Sequence, residues 1–146
     1  MIVNTLEQIK GMAKDQALFL RAKSPEMTGT EIIEEEDFVP DWNGEKDYSG
    51  VIVGAPVKDG EQVYTLLQPH NAAYYPYRPA ELPALWRVSH TTNPAKAKPW
   101  VQPTSTSDMY LVGECMIWTD GLVYKALRDT NYSPAEYAPD WEVVEA

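Results

Sequence analysis

The sequence predicts a mainly β chain in which an N-terminal α-helical arm precedes two small antiparallel β modules related by an internal repeat. One order of signals occurs twice, over residues 60–88 and 121–144: a turn glycine, an apolar β-prone run, a polar stop, a Pro-containing loop and a strand opened by Trp. Tyr64 matches Tyr124, and Asn71 matches Asn131, both at a spacing of 60 residues. An Asp-Gly pair separates two β-prone runs in each copy, which indicates two hairpins. Self-similarity at a fixed spacing is the mark of repeated units.

These signals divide the chain into four segments. Residues 1–39 form a helix and an acidic arm for assembly or attachment, and residues 40–89 form the first β module. Residues 90–97 are a linker, and residues 98–146 form the second β module. Units of about 50 residues bury little surface, so each needs large aromatic side chains in its core.

Residues 1–23 carry an apolar stripe at helical spacing, which includes Ile2, Leu6 and Ile9. The Ser24-Pro25 pair ends it, because the residue before proline avoids helical geometry. Two interpretations stay open: an amphipathic helix that lies on its own domain, or a helix that self-associates. We expect the second, a homo-oligomer through residues 1–23 that is a trimer if the protein is a fibre.

The segment that follows predicts little regular structure. Ile32 and Ile33 are read as one short strand, and the acidic run after them as a solvated face or linker. Contiguous Glu residues do not give the fixed separation in a cleft that paired catalytic carboxylates need.

Composition excludes several classes of function. The formal net charge of −10 argues against nucleic acid and against an anionic membrane surface as partners. His70 and His90 have no partners at metal-ligand spacing, Cys115 has no nearby His, and no phosphate-binding loop occurs. We therefore expect no enzyme activity, no cofactor and no metal. The N-terminus resembles no signal peptide, so we expect synthesis in the cytoplasm of the producing cell.

Each unit reads as Trp, Tyr, Gly, an apolar strand, Asp-Gly, Val-Tyr, a Pro loop and a final Trp. That pattern resembles the small chitin-binding modules of carbohydrate-binding families five and twelve, over residues 40–88 and 98–146. The second copy matches more closely, through Tyr110, Gly113-Glu114, Trp118, Gly121, Val123-Tyr124, Ala126 and Trp141. An arm followed by two units, with phrases such as Pro83-Ala-Leu-Trp86 and Ala97-Lys-Pro-Trp100, also resembles proteins encoded in bacteriophage and prophage structural regions.

The resemblance implies aromatic side chains just after the Val-Tyr strand, where these modules stack sugar rings. Leu67 and Gln68 stand there in the first copy, and Leu127 and Arg128 in the second. Other aromatics are left to form a carbohydrate platform. The candidates are Tyr74, Tyr75, Tyr77, Trp118 and Tyr132. The aromatics at matched places are expected to form the structural cores: Trp42, Tyr64, Trp86, Trp100, Tyr124 and Trp141.

The resemblance therefore implies a non-enzymatic phage virion structural protein, of the fibre or decoration type, that attaches to host surface glycans through its modules. Its partners would be copies of itself, other virion proteins and host glycans, and it would be located in the virion. Two alternatives stay open: a stand-alone chitin- or polysaccharide-binding protein, and a purely structural virion protein that binds no sugar.

Overall fold

The structure is a computed structural model that describes residues 26–146 and is mainly β. Two sheets are present, one of three strands and one of four, and in each the strands lie side by side in chain order. The elements are α1 (Gly29–Glu34), β1 (Pro56–Asp59), β2 (Gln62–Leu66), β3 (Trp86–Val88), β4 (Lys98–Pro99), β5 (Cys115–Ile117), β6 (Val123–Ala126) and β7 (Trp141–Val144). The stripe and the oligomer expected for residues 1–23 lie outside the described residues.

The first sheet is antiparallel and begins with a tight hairpin. Asp59 pairs with Gln62, so Gly60 and Glu61 form the turn, and Gly60 has a φ of 62°. A left-handed φ of this kind is the reason for glycine at the position. Strand β3 pairs with the far edge of β2, with Trp86 opposite Leu66.

The expected strand at Ile32 and Ile33 is wrong, because this stretch is the helix α1. Thr28 caps the helix, with its hydroxyl oxygen accepting from the Glu31 N–H while the Glu31 carboxylate accepts from the Thr28 N–H. This reciprocal capping box satisfies two N–H groups that would otherwise lack partners. The Thr-x-x-Glu pattern of residues 28–31 is its sequence signature, and it outweighs the β preference of two isoleucines.

Helix α1 covers one face of the first sheet. Ile32, Ile33 and Val39 form a buried cluster with Val63 of β2. On the opposite face, Tyr64 and Leu66 belong to the main core of this unit. Strand β2 is therefore covered on both faces. Val63, Tyr64 and Leu66 are all buried, whereas a strand with one solvent-facing side would alternate between buried and exposed side chains.

The second sheet is antiparallel except at one edge. Strand β4 runs parallel to β5, with Lys98 opposite Met116. The other strand pairs are antiparallel, as expected for the modules. A single parallel bridge between Asp41 and Lys58 makes the same exception at the corresponding edge of the first sheet. The long chain between β4 and β5 permits this parallel pairing, which a tight hairpin cannot form.

The two sheets share their central registers. Val57 faces Tyr64 in the first, and Met116 faces Tyr124 in the second. The hairpin turns differ by one residue, because the second spans residues 118–122 and its Trp118 N–H donates to the Leu122 carbonyl oxygen. As a consequence, Gly60 lies four residues before Tyr64, whereas Gly121 lies three residues before Tyr124.

Backbone hydrogen bonds outside the strands also match. The Trp42 N–H donates to the carbonyl oxygen of Lys58 over 2.7 Å, and the Trp100 N–H donates to that of Ile117 over 2.9 Å. Gly54 and Gly113, at φ values of 93° and 88°, donate to the last residue of β2 and of β6, each over 2.8 Å. Two loops of different sequence thus approach their sheets in one geometry.

The segment between the sheets, residues 90–97, packs against both the second sheet and the acidic arm. Thr91 is fully buried and pairs with Cys115. Asn93 donates from its side chain to the Glu34 carboxylate over 2.8 Å, and Lys98 forms a half-buried ion pair with Glu36. The acidic run, expected as a solvated face or linker, is exposed at Glu34, Glu35 and Asp37. Its Glu34 and Glu36 carboxylates also contact Asn93 and Lys98.

Candidate functional site

Two loops carry the most exposed aromatic side chains. One joins β2 to β3 in the first sheet, and the other joins β6 to β7 in the second. We name residues 67–85 the first Tyr loop and residues 127–140 the second Tyr loop. Their exposed rings are those of Tyr74, Tyr75, Tyr77, Tyr132 and Tyr137. Large exposed aromatics are unusual on a small domain, so these loops are the candidate binding surface.

In the first Tyr loop, a buried histidine anchors the backbone. His70 Nδ1 lies 2.8 Å from the Gln68 carbonyl oxygen, and its ring packs edge-on against Trp86 at 5.4 Å. Tyr75 lies edge-on to the same histidine at 5.5 Å. The ring of Tyr75 is therefore held in place although 42% of the residue is exposed.

Tyr74 and Tyr77 belong to the same loop and are more exposed than Tyr75. They are 79% and 54% exposed, and no ring contact links either to an aromatic among residues 26–146. The structure thus brings the three first-loop candidates into one segment, with only one of them braced against the core.

The second Tyr loop is fixed by a network of hydrogen bonds. The Thr130 hydroxyl donates to the buried Asp140 carboxylate over 2.7 Å, and the Trp141 indole N–H donates to the Tyr132 carbonyl oxygen over 2.8 Å. Ser133 and Glu136 cap each other, with each backbone N–H donating to the other's side-chain oxygen. The backbone on either side of Tyr132 is therefore pre-organised.

This network sets two exposed tyrosines side by side. The rings of Tyr132 and Tyr137 lie 6.4 Å apart between centroids, at an angle of 59°. They border a groove of about 590 Å³. The groove is lined by Met109, Arg128, Asp129, Thr130, Asn131, Tyr132, Glu136, Tyr137 and Asp140. Apolar ring faces beside polar side chains are the usual composition of a small-ligand site.

Charge in the groove is mainly negative. The Arg128 guanidinium pairs with Asp140 at 2.8 Å, which leaves the carboxylates of Asp129 and Glu136 without a cation of their own among the lining residues. Both carboxylates accept backbone N–H bonds, from Val112 and Ser133 respectively. The groove therefore suits a neutral or amino-substituted ligand and disfavours an anion.

Trp118 lies apart from this groove. It is half-buried and packs edge-on against Trp100 at 5.7 Å, beside the hairpin turn. Among the candidates in the second sheet, Tyr132 is thus paired with Tyr137 and not with Trp118.

The six residues expected in the cores lie at two depths. Tyr64, Trp86 and Trp141 are buried, at 4%, 2% and 6% exposure. The remaining three are half-buried against those cores: Trp42, Trp100 and Tyr124. Val101, which follows β4, packs against the core cluster that contains Tyr64. Burial raises the pKa of Tyr64 to about 12.

Sequence reasoning missed Tyr137 and the groove's polar groups. The signal was present in Ser133-Pro-Ala-Glu136, a second capping pattern, which predicts that the chain turns back immediately after Tyr132. Such a turn brings Tyr137 next to Tyr132. Leu127 and Arg128 stand where the stacking aromatics were expected, and both are exposed. Arg128 forms an ion pair with Asp140.

Neither a metal-holding cluster nor a membrane-spanning helix is found in the described part of the chain. Across residues 26–146, no group of three or more His, Cys, Asp or Glu side chains could hold a metal ion. No helix described there is both long and apolar enough to cross a membrane. In comparisons with known proteins, the chain matches no family model, and no curated protein sequence matches it.

Proposed function

We propose that this chain is a non-enzymatic glycan-binding protein that uses the second Tyr loop as its principal site. The observation that carries the proposal is the exposed Tyr132–Tyr137 pair, held 6.4 Å apart beside a polar groove. Rings held by a pre-organised backbone lose little entropy when a sugar stacks on them. The first Tyr loop supplies a second, weaker surface through Tyr75.

We infer in addition that the two sheets are copies of one unit. The matched strand registers and the matched Trp42 and Trp100 hydrogen bonds support this inference. Two copies would give the chain two Tyr loops, and two weak sites on one chain bind a polymer more tightly than either site alone.

The biological setting that we propose is the surface of a phage particle, as a fibre or decoration component that contacts host glycans and other virion proteins. This setting rests on the sequence resemblance alone. Neutral and amino-sugar polymers suit the acidic chain better than anionic wall polymers do.

One observation favours a second candidate function, a β unit that packs against virion proteins and binds no sugar. The positions that carry stacking aromatics in the modules this chain resembles are occupied by Leu127, which is 43% exposed, and by Arg128, which pairs with Asp140. An exposed leucine beside a neutralised arginine is more typical of a protein contact than of a sugar platform.

The test is a glycan array, followed by titration of any hit with Tyr132→Ala and Tyr137→Ala. Each change should weaken binding by on the order of 1–3 kcal/mol, by analogy with aromatic stacking on bases. Leu122→Ala is the matched control, because Leu122 is a 48% exposed apolar residue at the hairpin turn and does not line the groove. It should bind as the parent does.

A variant with alanine at Tyr74, Tyr75, Tyr77, Trp118 and Tyr132 tests the earlier candidate set as a whole. Near-ultraviolet circular dichroism must first establish that it is folded, because Trp118 packs on Trp100. Glycan or host-cell binding that survives both this variant and Tyr137→Ala would exclude these loops and favour the protein-packing function.

A further inference from the structure

A cleft of about 750 Å³ lies between the two sheets and is separate from the groove of the second Tyr loop. The loop before β1 contributes Val53, and Leu67, the residue after β2, also lines the cleft. Leu111 and Val112, from the loop before β5, also line the cleft. The cleft is thus built where corresponding turns of the two sheets approach each other.

The rim of this cleft is apolar and uncovered by residues 26–146. Val53 is 49% exposed, Val112 is 62% exposed, and Leu67 and Leu111 are 37% and 43% exposed. Scattered exposed apolar residues are ordinary, but four that line one cleft mark a surface that receives a partner.

The chain enters the described structure at the edge of the same cleft. Met27, Thr28, Gly29 and Thr30 all line it. Residues 1–25 therefore join the described chain close to the cleft. They also carry the apolar stripe that the sequence predicts, with Phe19 and Leu20 at its near end.

The charges of the two parts are opposite. Residues 1–25 hold four of the chain's 12 basic residues and two of its 22 acidic ones, which gives a formal charge of +2 and leaves −12 on the remainder. Asp108 and Glu114 line the cleft, with Arg87 as its only arginine or lysine among the described lining residues. A basic, apolar segment complements an acidic cleft with an apolar rim.

We propose that residues 1–25 dock into the cleft of their own chain, with their apolar stripe against Val53, Leu67, Leu111 and Val112 and their basic side chains toward Asp108 and Glu114. The short path from Met27 favours the segment of the same chain, since the tether gives it a high effective concentration at the cleft. The docking is independent of glycan binding, because the cleft shares only Met109 with the groove of the second Tyr loop.

Docking has a consequence for assembly. The apolar stripe cannot lie in the cleft and also join copies of the chain, so self-association through residues 1–23 requires the segment to leave the cleft. A chain whose segment is docked would then be a monomer. It would assemble with other copies only after the segment leaves the cleft.

The test is photo-cross-linking in the full-length chain with p-benzoylphenylalanine in place of Val112. We expect cross-links to peptides from residues 1–25. Mixing isotope-labelled and unlabelled chains before irradiation distinguishes links within a chain from links between chains. The matched control carries the same probe in place of Leu127, which is similarly apolar and exposed but does not line the cleft.

A second pair of variants tests the apolar contact. Phe19→Ser combined with Leu20→Ser should lower the Val112 cross-link yield by roughly tenfold, because burial of the two side chains is lost. Gln16→Ser should leave the yield unchanged. The proposal is overturned if Val112 gives no link to residues 1–25, if the Leu127 probe gives an equal yield, if the links join labelled to unlabelled chains, or if the double serine variant cross-links as the parent does.

Discussion

The hydroxyl oxygen of Tyr110 accepts a hydrogen bond from the backbone N–H of Val101 over 3.1 Å. The tyrosine is buried, with His90 stacked on its ring at 3.8 Å and Trp141 edge-on at 5.5 Å. Burial raises the pKa of Tyr110 well above its usual range. A single side chain thus joins the segment after β4 to the core of the second sheet.

The first sheet contains the same arrangement. The Tyr48 hydroxyl oxygen accepts from the Asn43 N–H over 2.9 Å, and the Tyr48 ring lies edge-on to Trp86 at 5.1 Å. In both cases the N–H that donates belongs to the residue after a half-buried tryptophan. Asn43 follows Trp42, and Val101 follows Trp100. The tyrosine therefore fixes where that tryptophan packs.

The first prediction is that Tyr110→Phe destabilises the protein by about 1–3 kcal/mol, because the half-buried Val101 N–H loses its acceptor. Urea denaturation followed by Trp fluorescence measures the change. Tyr124→Phe is the control, since the Tyr124 hydroxyl donates to Asp120 at the surface. The control should stay within about 0.5 kcal/mol of the parent. Equal losses in the two variants would contradict this account of Tyr110.

The second prediction concerns helix α1. Ile33→Ala should cost about 2–5 kcal/mol, because the side chain is fully buried between the helix and β2 and its removal leaves a cavity. Ile52→Ala, at a 51% exposed site, should cost less than about 0.5 kcal/mol. Thermal unfolding of both variants checks the difference. A small loss at Ile33 would mean that α1 does not cover the sheet in solution.

The sequence predicted the hairpins, because glycine at a left-handed turn and apolar runs beside it are local signals. It did not predict α1. Isoleucine favours strands only where a sheet accepts it, and here a four-residue capping pattern and burial against Val63 determine the conformation. The parallel edge at β4 was also missed, since pairing between Lys98 and Met116 depends on contacts distant in sequence.

The candidate site was predicted only in part, for a similar reason. Exposed tyrosines in Pro-containing loops could be found by subtracting the matched core aromatics. Which two form a pair depends on how the second Tyr loop turns, and that is set by Thr130 and Asp140 as well as by the Ser133–Glu136 cap. The contact between Thr130 and Asp140 joins residues ten positions apart, so no local sequence pattern predicts it.

The third prediction tests this loop network. Thr130→Val removes the donor to the buried Asp140 carboxylate and the acceptor for the Tyr132 N–H, so it should cost about 1–3 kcal/mol of stability. It should also weaken glycan binding, although Thr130 is buried and cannot stack on a sugar. Thr119→Val, in the exposed hairpin turn, is the control for both measurements. Unchanged stability would show that the loop does not depend on Thr130.

The last prediction is a loss of stability at mildly acidic pH through His90. Burial lowers the pKa of His90 to about 4, and its Nε2–H donates to the Asp108 carbonyl oxygen over 3.1 Å. In the unfolded chain a histidine has a pKa of about 6.5. Between these two pH values the unfolded state binds more protons than the folded state. The stabilising effect of the neutral ring is therefore complete above about pH 6.5 and declines as the pH falls toward 4.

The loss over that window should approach about 3 kcal/mol, at 1.36 kcal/mol per pKa unit. The carboxyl of Glu114, whose pKa burial raises, opposes it, because a raised carboxyl pKa adds stability as the pH falls. Urea denaturation at pH 7.5 and at pH 5 measures the net effect. His90→Gln keeps an N–H donor for Asp108 without a titrating ring, so its stability should vary less between the two pH values. If His90→Gln loses as much stability at pH 5 as the parent does, another group causes the acid sensitivity.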